Sequence, residues 1–387
     1  MHIALLKETR PGESRVALVP ESCKKLIQAG YTISIEKGAG EASFYLDEEY
    51  RKVDCTVEND PATLIKSADL ILKVNPPTLD SENRNEIAWM KPGTVLLASL
   101  MPLRHLNVVQ LLATHKITAF STDAIPRTTR AQSMDTLSSM ANIVGYKGVL
   151  IAASELSKYF PMFMTAAGTV FPAKVFVIGA AVAGLQAIAT ARRLGANVTA
   201  TDVRPEVKEQ IESLGAKYVG IELLKESAVA GGGYAKELSQ EDKLRQHELL
   251  ASHCATVDIV ITTALIGGVF APKLITSEIV NKMRPGSVIV DLGADGGGNC
   301  ELSKLGERIT TQNGVKIIAP LNLPSTMPMH ASLLFSRNLT AFIQTFTKDK
   351  KFQLDLTDDI QKGSIITHNG EVLNARTKEA LKSGGSK

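Results

Sequence analysis

The sequence predicts an α/β protein: two Rossmann-like, doubly wound parallel-sheet domains joined by long helices. Three observations predict it. Short apolar runs of strand length alternate with helical patterns from the first residues onward. One stretch, VFVIGAAVAGLQAIATARRLGANVTATDVR from Val175 to Arg204, spells a strand, a glycine turn, a helix and a second strand in succession. The 387 residues give room for two domains of ordinary size, each with its own core.

Taken in order, HIALLK, YTISIEKG, ADLILKVN, GTVLLASL and ITAFSTD read as the strands of the first sheet. AKVFVIG, NVTATD, AKYVGI, VDIVITTA, GSVIVDLG and VKIIAP read as those of the second. Between them Met134, Leu137, Ala141, Val144 and Gly148 recur at helical spacing, which predicts a long helix joining the two domains. STMPMHASLLFSRNLTAFIQTF has the period of a second crossing helix that returns the chain to the first domain. The expected boundaries are residues 1–130 with about 325–380 for the first domain, 131–324 for the second with the linking helix, and 381–387 for a disordered tail. Asn369-Gly370, between SIITH and EVLN, predicts a hairpin ahead of that tail.

The composition is that of a soluble globular protein, 44% hydrophobic and 21% charged. A net charge of +3 on a chain of this length gives no reason to expect nucleic acid as a partner. Cys23, Cys55, Cys254 and Cys300 are scattered without a C-x-x-C pair, so neither a disulfide framework nor a zinc site is predicted. Lys7, Glu8 and Arg10 interrupt any signal-peptide core, and a cytoplasmic setting is expected. The apolar run Val175–Ala191 falls short of the roughly 20 residues of a membrane span and contains Gln186.

In the glycine turn, Gly179 makes the bend and Gly184 lets helix and strand approach, while Ala181 stands where a middle glycine would face a pyrophosphate at the helix N-terminus. Asp202, at the end of the next strand, is placed to hydrogen-bond an adenosine ribose and to repel a 2′-phosphate. The expected cofactor is therefore NAD(H) rather than NADP(H).

Gln132, Asp135 and Ser138 are spaced to share one helix face, with Arg127 just upstream, at the end of a first-domain strand. They are candidates for a nicotinamide site; the plainer alternative is a solvated first turn. VAGGGYAKELSQEDKLRQHELL is a long glycine-hinged insertion, in which Gly233 and Tyr234 would close over a nucleotide with Gln246 nearby, unless it is an ordinary surface loop. Ala264 and Leu265 end a strand at the same cleft.

Beyond these local readings, the chain resembles the NAD(H)-binding component of proton-translocating transhydrogenase over nearly its whole length. The match runs through KETRPGESRVALVP, PRTTRAQSMDTLSSMANIVGYK, AGLQAIATARRLGA, TDVRPEVKEQIESLGAK, GGGYAKELS, VDIVITTALIGG and DLGADGGGNCELS. It implies that Arg127, Gln132 and Asp135 orient the nicotinamide and its ribose, and that Ser138 contacts the carboxamide. It implies cofactor contacts at Gly179, Ala181, Val182, Gly184, Asp202, Val203, Arg204, Gly233, Tyr234, Gln246, Ala264 and Leu265. The sequence departs from the family at Ala181 and at LIGG, where a proline commonly follows the isoleucine. The resemblance further implies hydride transfer from NADH to NADP⁺ held on an NADP(H)-binding partner subunit, and separate membrane-spanning subunits. A homodimer, peripheral on the inner face of the cell membrane, is expected.

A more distant resemblance, to alanine dehydrogenase, rests on ETRPGESRVALVP with Arg15 and LILKVNPP with Lys73. Oxidising an amino acid needs a general base, typically histidine in that family. The matching strand ends in LLASLMP, and the nearest histidine, His105, lies beyond Pro102. His2, His115, His247, His253, His330 and His368 form no metal-ligand pattern. Hydride transfer between two nicotinamide rings needs no proton donor or acceptor, which suits a site of orienting groups. A non-catalytic NAD-binding module is the third reading.

Overall fold

The computed structural model describes residues 1–80, 84–220, 229–230, 234–235, 239–265 and 271–383. It divides into two compact units, Met1–Met140 with Pro324–Lys387, and Ala141–Leu323.

The first unit is built on an eight-stranded sheet in the order Glu371–Val372, Ile365–His368, Thr118–Ser121, Val95–Ala98, Leu70–Leu72, His2–Leu5, Thr32–Glu36, Thr56–Glu58. The six strands from Thr118–Ser121 to Thr56–Glu58 pair in parallel. Their apolar residues are buried on both faces, as crossover helices on each side require. Ile3, Leu5, Leu72, Leu97 and Phe120 pack on one face, against Phe335, Leu339 and Phe342 of the helix Pro328–Thr345. Ala4, Ile71, Leu96, Ala98 and Ala119 pack on the other, with Val109 and Leu112 of the helix Leu106–Thr114.

The helix Pro328–Thr345, expected as a returning crossing, begins with proline at its first turn, where no N–H is needed. Its buried face also carries hydroxyls. Ser332 Oγ accepts from Val16 N at 3.0 Å, Ser336 Oγ from Val19 N at 3.1 Å, and the preceding Ser325 Oγ from Ser14 N at 3.2 Å. The segment around Arg15 is thus fastened to the C-terminal end of the chain.

Asn369 and Gly370 both have left-handed backbone, φ 46° and 90°, and close the expected hairpin. That hairpin joins the sheet antiparallel to Thr118–Ser121, so the sheet is dominated by parallel strands without being purely parallel. Of the tail expected to be disordered from residue 381, residues 381 and 382 close the helix Ala375–Lys382, and residues 384–387 lie outside the described residues. Asn374 starts this helix by accepting the Thr377 amide at 3.1 Å, a cap that outweighs the polar composition.

The second unit is a seven-stranded sheet in the order Lys217–Tyr218, Asn197–Thr201, Lys174–Ile178, Ile259–Thr262, Val288–Asp291, Lys316–Ile318, Arg308–Thr310. All pairings are parallel except that of the edge strand Arg308–Thr310, which the apolar runs of the sequence do not announce. Val175, Val177, Ile259 and Ile261 face one core, and Phe176, Ile178, Val260 and Ile289 the other. Strand order reverses between Lys174–Ile178 and Ile259–Thr262, and in open α/β sheets the crevice at such a switch point is where ligands bind.

Candidate functional site

Three strand ends meet at the switch point: Gly179, Asp202 and the pair Thr263–Ala264. Gly179 has φ 91°, and a Cβ there would lie 2.8 Å from Thr263 Oγ1. A Cβ on Gly184 would stand 1.9 Å from the Gly179 carbonyl oxygen, so the first turn of the helix Val182–Arg193 rests directly on the bend. Both glycines therefore fill the roles read from the fingerprint. Ala181 is the N-cap residue, extended at φ −78° and ψ −168°, and its exposed methyl provides no side-chain cap. The helix thus starts beside Val182 with backbone N–H groups that no side chain caps, the local arrangement that receives a phosphate.

Asp202 is tied into this turn. Its Oδ2 accepts the Ala180 amide at 2.8 Å, and Arg204 donates to it through Nε, its terminal nitrogen and its backbone amide, each at 2.9 Å. The hydrogen bonds to Asp202 push the Arg204 guanidinium above its ordinary value. Tyr218 Oη donates to the Asp202 carbonyl at 3.1 Å. Val203, between Asp202 and Arg204 in the chain, is half-buried.

The far side of the crevice is shaped by residues that carry no motif in the sequence. Asn299, fully buried, accepts the Ala264 amide through Oδ1 at 3.1 Å and donates to the Ala264 and Pro272 carbonyls at 2.9 Å. Asp291 beneath it accepts from Thr262 Oγ1, Gly293 N, Asn299 N, Cys300 N and Ser303 Oγ. Leu265 follows on the exposed side. Gln246 lies half-buried on the helix Gln240–Cys254, and the Tyr234 backbone pairs with Ala230. Gly233 and the side chain of Tyr234 lie outside the described residues, as does the proposed closure of that loop.

Arg127, Gln132, Asp135 and Ser138 belong to the chain segment that enters the linking helix. They do not share one helix face. Gln132 lies in a 3-10 turn, Thr129–Met134, and the α-helix Thr136–Glu155 starts only after Asp135. Asp135 caps that helix: its Oδ1 accepts the Ser138 amide at 2.8 Å, and its Oδ2 accepts Ser138 Oγ at 2.6 Å. Within the turn Ala131 and Met134 are buried in the first unit's core, which leaves Gln132 exposed beside them. Arg127 is exposed as well.

Arg15 and Lys73, the cations on which the more distant resemblance rests, are matched internally. Arg15 makes a two-point pair with Glu13, both contacts at 2.7 Å. Lys73 is fully buried, 3.2 Å from Glu86 and 3.7 Å from Glu8, and burial raises the Glu8 carboxyl above its ordinary value. His105 precedes the helix Leu106–Thr114, and burial holds its imidazole below the usual range. Among the described residues there is no cluster of metal ligands and no helix long and apolar enough to cross a membrane.

Fold and turn together define a dinucleotide-binding α/β protein with two Rossmann-type units. Family profiles described as "Alanine dehydrogenase/PNT, N-terminal domain" and "Alanine dehydrogenase/PNT, C-terminal domain" match residues 4–144 and 148–375. The chain is 46% identical over 378 residues to a subunit alpha polypeptide of the NAD(P) transhydrogenase of Rhodospirillum rubrum, covering 97% of this chain and 98% of that one. A solved structure of a transhydrogenase from Sinorhizobium meliloti superimposes with a TM-score of 0.86 at 43% identity, covering 96% of this chain and 100% of the other. Alanine dehydrogenase of Staphylococcus saprophyticus is more distant, 26% identical over 392 residues, 98% of this chain and 97% of that one. The chain belongs to the alanine dehydrogenase/PNT family, on the side of the NAD(P) transhydrogenase alpha subunits.

Proposed function

We propose that this chain binds NAD(H) and passes a hydride from NADH to NADP⁺ held on a partner subunit of a proton-translocating transhydrogenase. The observation that carries the reading is the glycine turn with Asp202 fixed on its backbone at Ala180, a site shaped for a dinucleotide that lacks a 2′-phosphate. The dihydronicotinamide, when bound, supplies the hydride. The protein's own groups then have to place and hold: the helix start at Val182 takes the pyrophosphate, Asp202 the ribose, and Arg127, Gln132, Asp135 and Ser138 the nicotinamide half. Orientation of this kind is worth roughly 7–11 kcal/mol when two reactants are held in line.

In this reading Gly233, Tyr234 and Gln246 complete the nucleotide site, with Val203, Arg204, Ala264 and Leu265 along its walls. The chain works as a homodimer at the inner face of the cell membrane, with membrane-spanning subunits carrying the protons. The test mixes the chain with a purified NADP(H)-binding transhydrogenase component and NADH deuterated at C4. Deuterium should appear in NADPH with none lost to water. Alanine-dependent reduction of NAD⁺ by the chain alone would overturn the proposal in favour of an amino-acid dehydrogenase.

A further inference from the structure

The turn that presents Gln132 rests on the C-terminal end of the chain at two points. On the buried side, Asn338 of the helix Pro328–Thr345 donates from Nδ2 to the carbonyl of Ser133 at 2.8 Å. On the solvent side, the Arg130 guanidinium bridges Asp358 and Asp359, with Asp358 at 2.5 Å. Asp358 is itself held, because it caps the helix Asp359–Ser364 through the Ile360 and Gln361 amides. The two attachments lie on either side of Gln132 in the chain.

Asn338 is 8% exposed, and its Oδ1 has no hydrogen-bond partner among the described residues. An unpaired buried carbonyl oxygen is destabilising, and an apolar side chain of the same size would avoid that penalty. What the amide provides and an apolar side chain cannot is a fixed point under Ser133, whose carbonyl sits between Gln132 and Asp135 in the turn. Ala131 and Met134 fix how deep the turn lies in the core, and the Asn338 contact fixes where it sits along the helix.

We propose that Asn338 is a positioning residue for hydride transfer, acting through the Ser133 carbonyl on the placement of Gln132 and Asp135. The inference rests on the reading that this turn orients the nicotinamide. It goes further in assigning a role to a side chain far off in sequence, 205 residues from Ser133. A shift of about 1 Å at a reacting centre can cost on the order of 100-fold in rate.

The test uses the whole chain with the purified NADP(H)-binding component, and compares Asn338→Leu, Asn338→Asp and Gln132→Asn. For each, the transfer rate per folded chain, the NADH dissociation constant and the thermal midpoint are measured. Asn338→Leu should slow transfer at least about tenfold while NADH affinity stays within about twofold and the thermal midpoint is held or raised, because the orphan oxygen is gone. Asn338→Asp sets an acceptor against the Ser133 carbonyl and should slow transfer further. Should either variant fail to fold, Asn338→Ser, which shortens the reach without adding charge or bulk, should show the same loss of rate. Slow transfer in Gln132→Asn with unaltered transfer in every folded Asn338 variant would overturn this inference and leave the nicotinamide site standing. Unaltered transfer in Gln132→Asn as well would overturn both.

Discussion

Asp202 and Arg204 form a closed pair: the carboxylate takes the guanidinium at both oxygens, the Arg204 amide at Oδ1 and the Ala180 amide at Oδ2. An ionised carboxylate has about four acceptor positions, and all are filled. A ribose diol bound at Asp202 must therefore displace or share one of these four contacts, three of which come from Arg204.

This sets opposite expectations for the two residues. Asp202→Ala should narrow the preference for NADH over NADPH, by about 10- to 100-fold if one charge-assisted hydrogen bond is lost. Arg204→Ala should widen it, since Asp202 keeps its repulsion of a 2′-phosphate and loses its cation. Dissociation constants for both nucleotides, taken by fluorescence titration, check this. A narrower gap in Arg204→Ala would overturn this expectation and show that Arg204 helps to exclude the phosphate.

Positions 181 and 184 should respond in opposite ways. A methyl at Gly184 collides with the Gly179 carbonyl at 1.9 Å, so Gly184→Ala should cost about 1–3 kcal/mol or more in stability. Ala181→Gly replaces an exposed cap residue by a better one and should be neutral or stabilising by a few tenths of a kcal/mol. Urea denaturation followed by circular dichroism separates the two, and a destabilised Ala181→Gly would mean that the Ala181 methyl packs against something essential.

Asp135 caps a helix and, in the proposed function, also orients the nicotinamide half, and substitution separates the two. Asp135→Ala removes the cap of the helix Thr136–Glu155 and should cost about 1 kcal/mol of stability. Asp135→Asn still accepts the Ser138 amide through its carbonyl, so stability should hold while hydride transfer slows. Equal transfer rates in Asp135→Asn and the unaltered chain would reduce Asp135 to a capping residue.

Acid should act through Glu13. Burial works to raise its carboxyl, but the hydrogen bonds and charge of Arg15, with Ser325 and Asn75, bring it from the ordinary 4.5 down to about 2. A carboxyl depressed on folding gives stability that is full above its unfolded value and is lost as pH falls toward the folded one. The loss between about pH 4.5 and pH 2 is on the order of 3 kcal/mol. Glu13→Gln should be less stable near neutrality and flatter across this window, as thermal midpoints from about pH 5 to pH 3 would show. An unchanged acid slope would assign the effect to other groups.

The features of the site legible in the sequence are those made by neighbours along the chain. Gly179, Gly184 and Asp202 follow from one strand–turn–helix unit, and the parallel strands from their runs of apolar residues. Asp135 was legible too, but under another rule: Asp135-Thr136-Leu137-Ser138 is a helix N-cap, whereas a periodicity counted through it moved the helix start upstream. Asn338 and Asp358 carry no local signal, because their contacts to Ser133 and Arg130 span 205 and 228 residues. Asn299 looks like a loop residue in DLGADGGGNC and Asp291 like an ordinary strand end in GSVIVDLG, and only the folded sheet end shows that they shape the backbone at Ala264.

The helix Pro328–Thr345 gives the molecule an order of assembly in time. Its Phe335, Leu339 and Phe342 complete the core that contains Ile3 and Leu5, while the second unit is one uninterrupted stretch, Ala141–Leu323. On the ribosome the second unit is therefore released whole before the first has all its pieces. The opening strand His2–Leu5 waits for its last packing partners on the order of tens of seconds at ordinary synthesis rates. The half of the chain translated first is the half that closes last, and any factor that shields nascent apolar strands has to act on the strands from His2 to Ser121 during that interval.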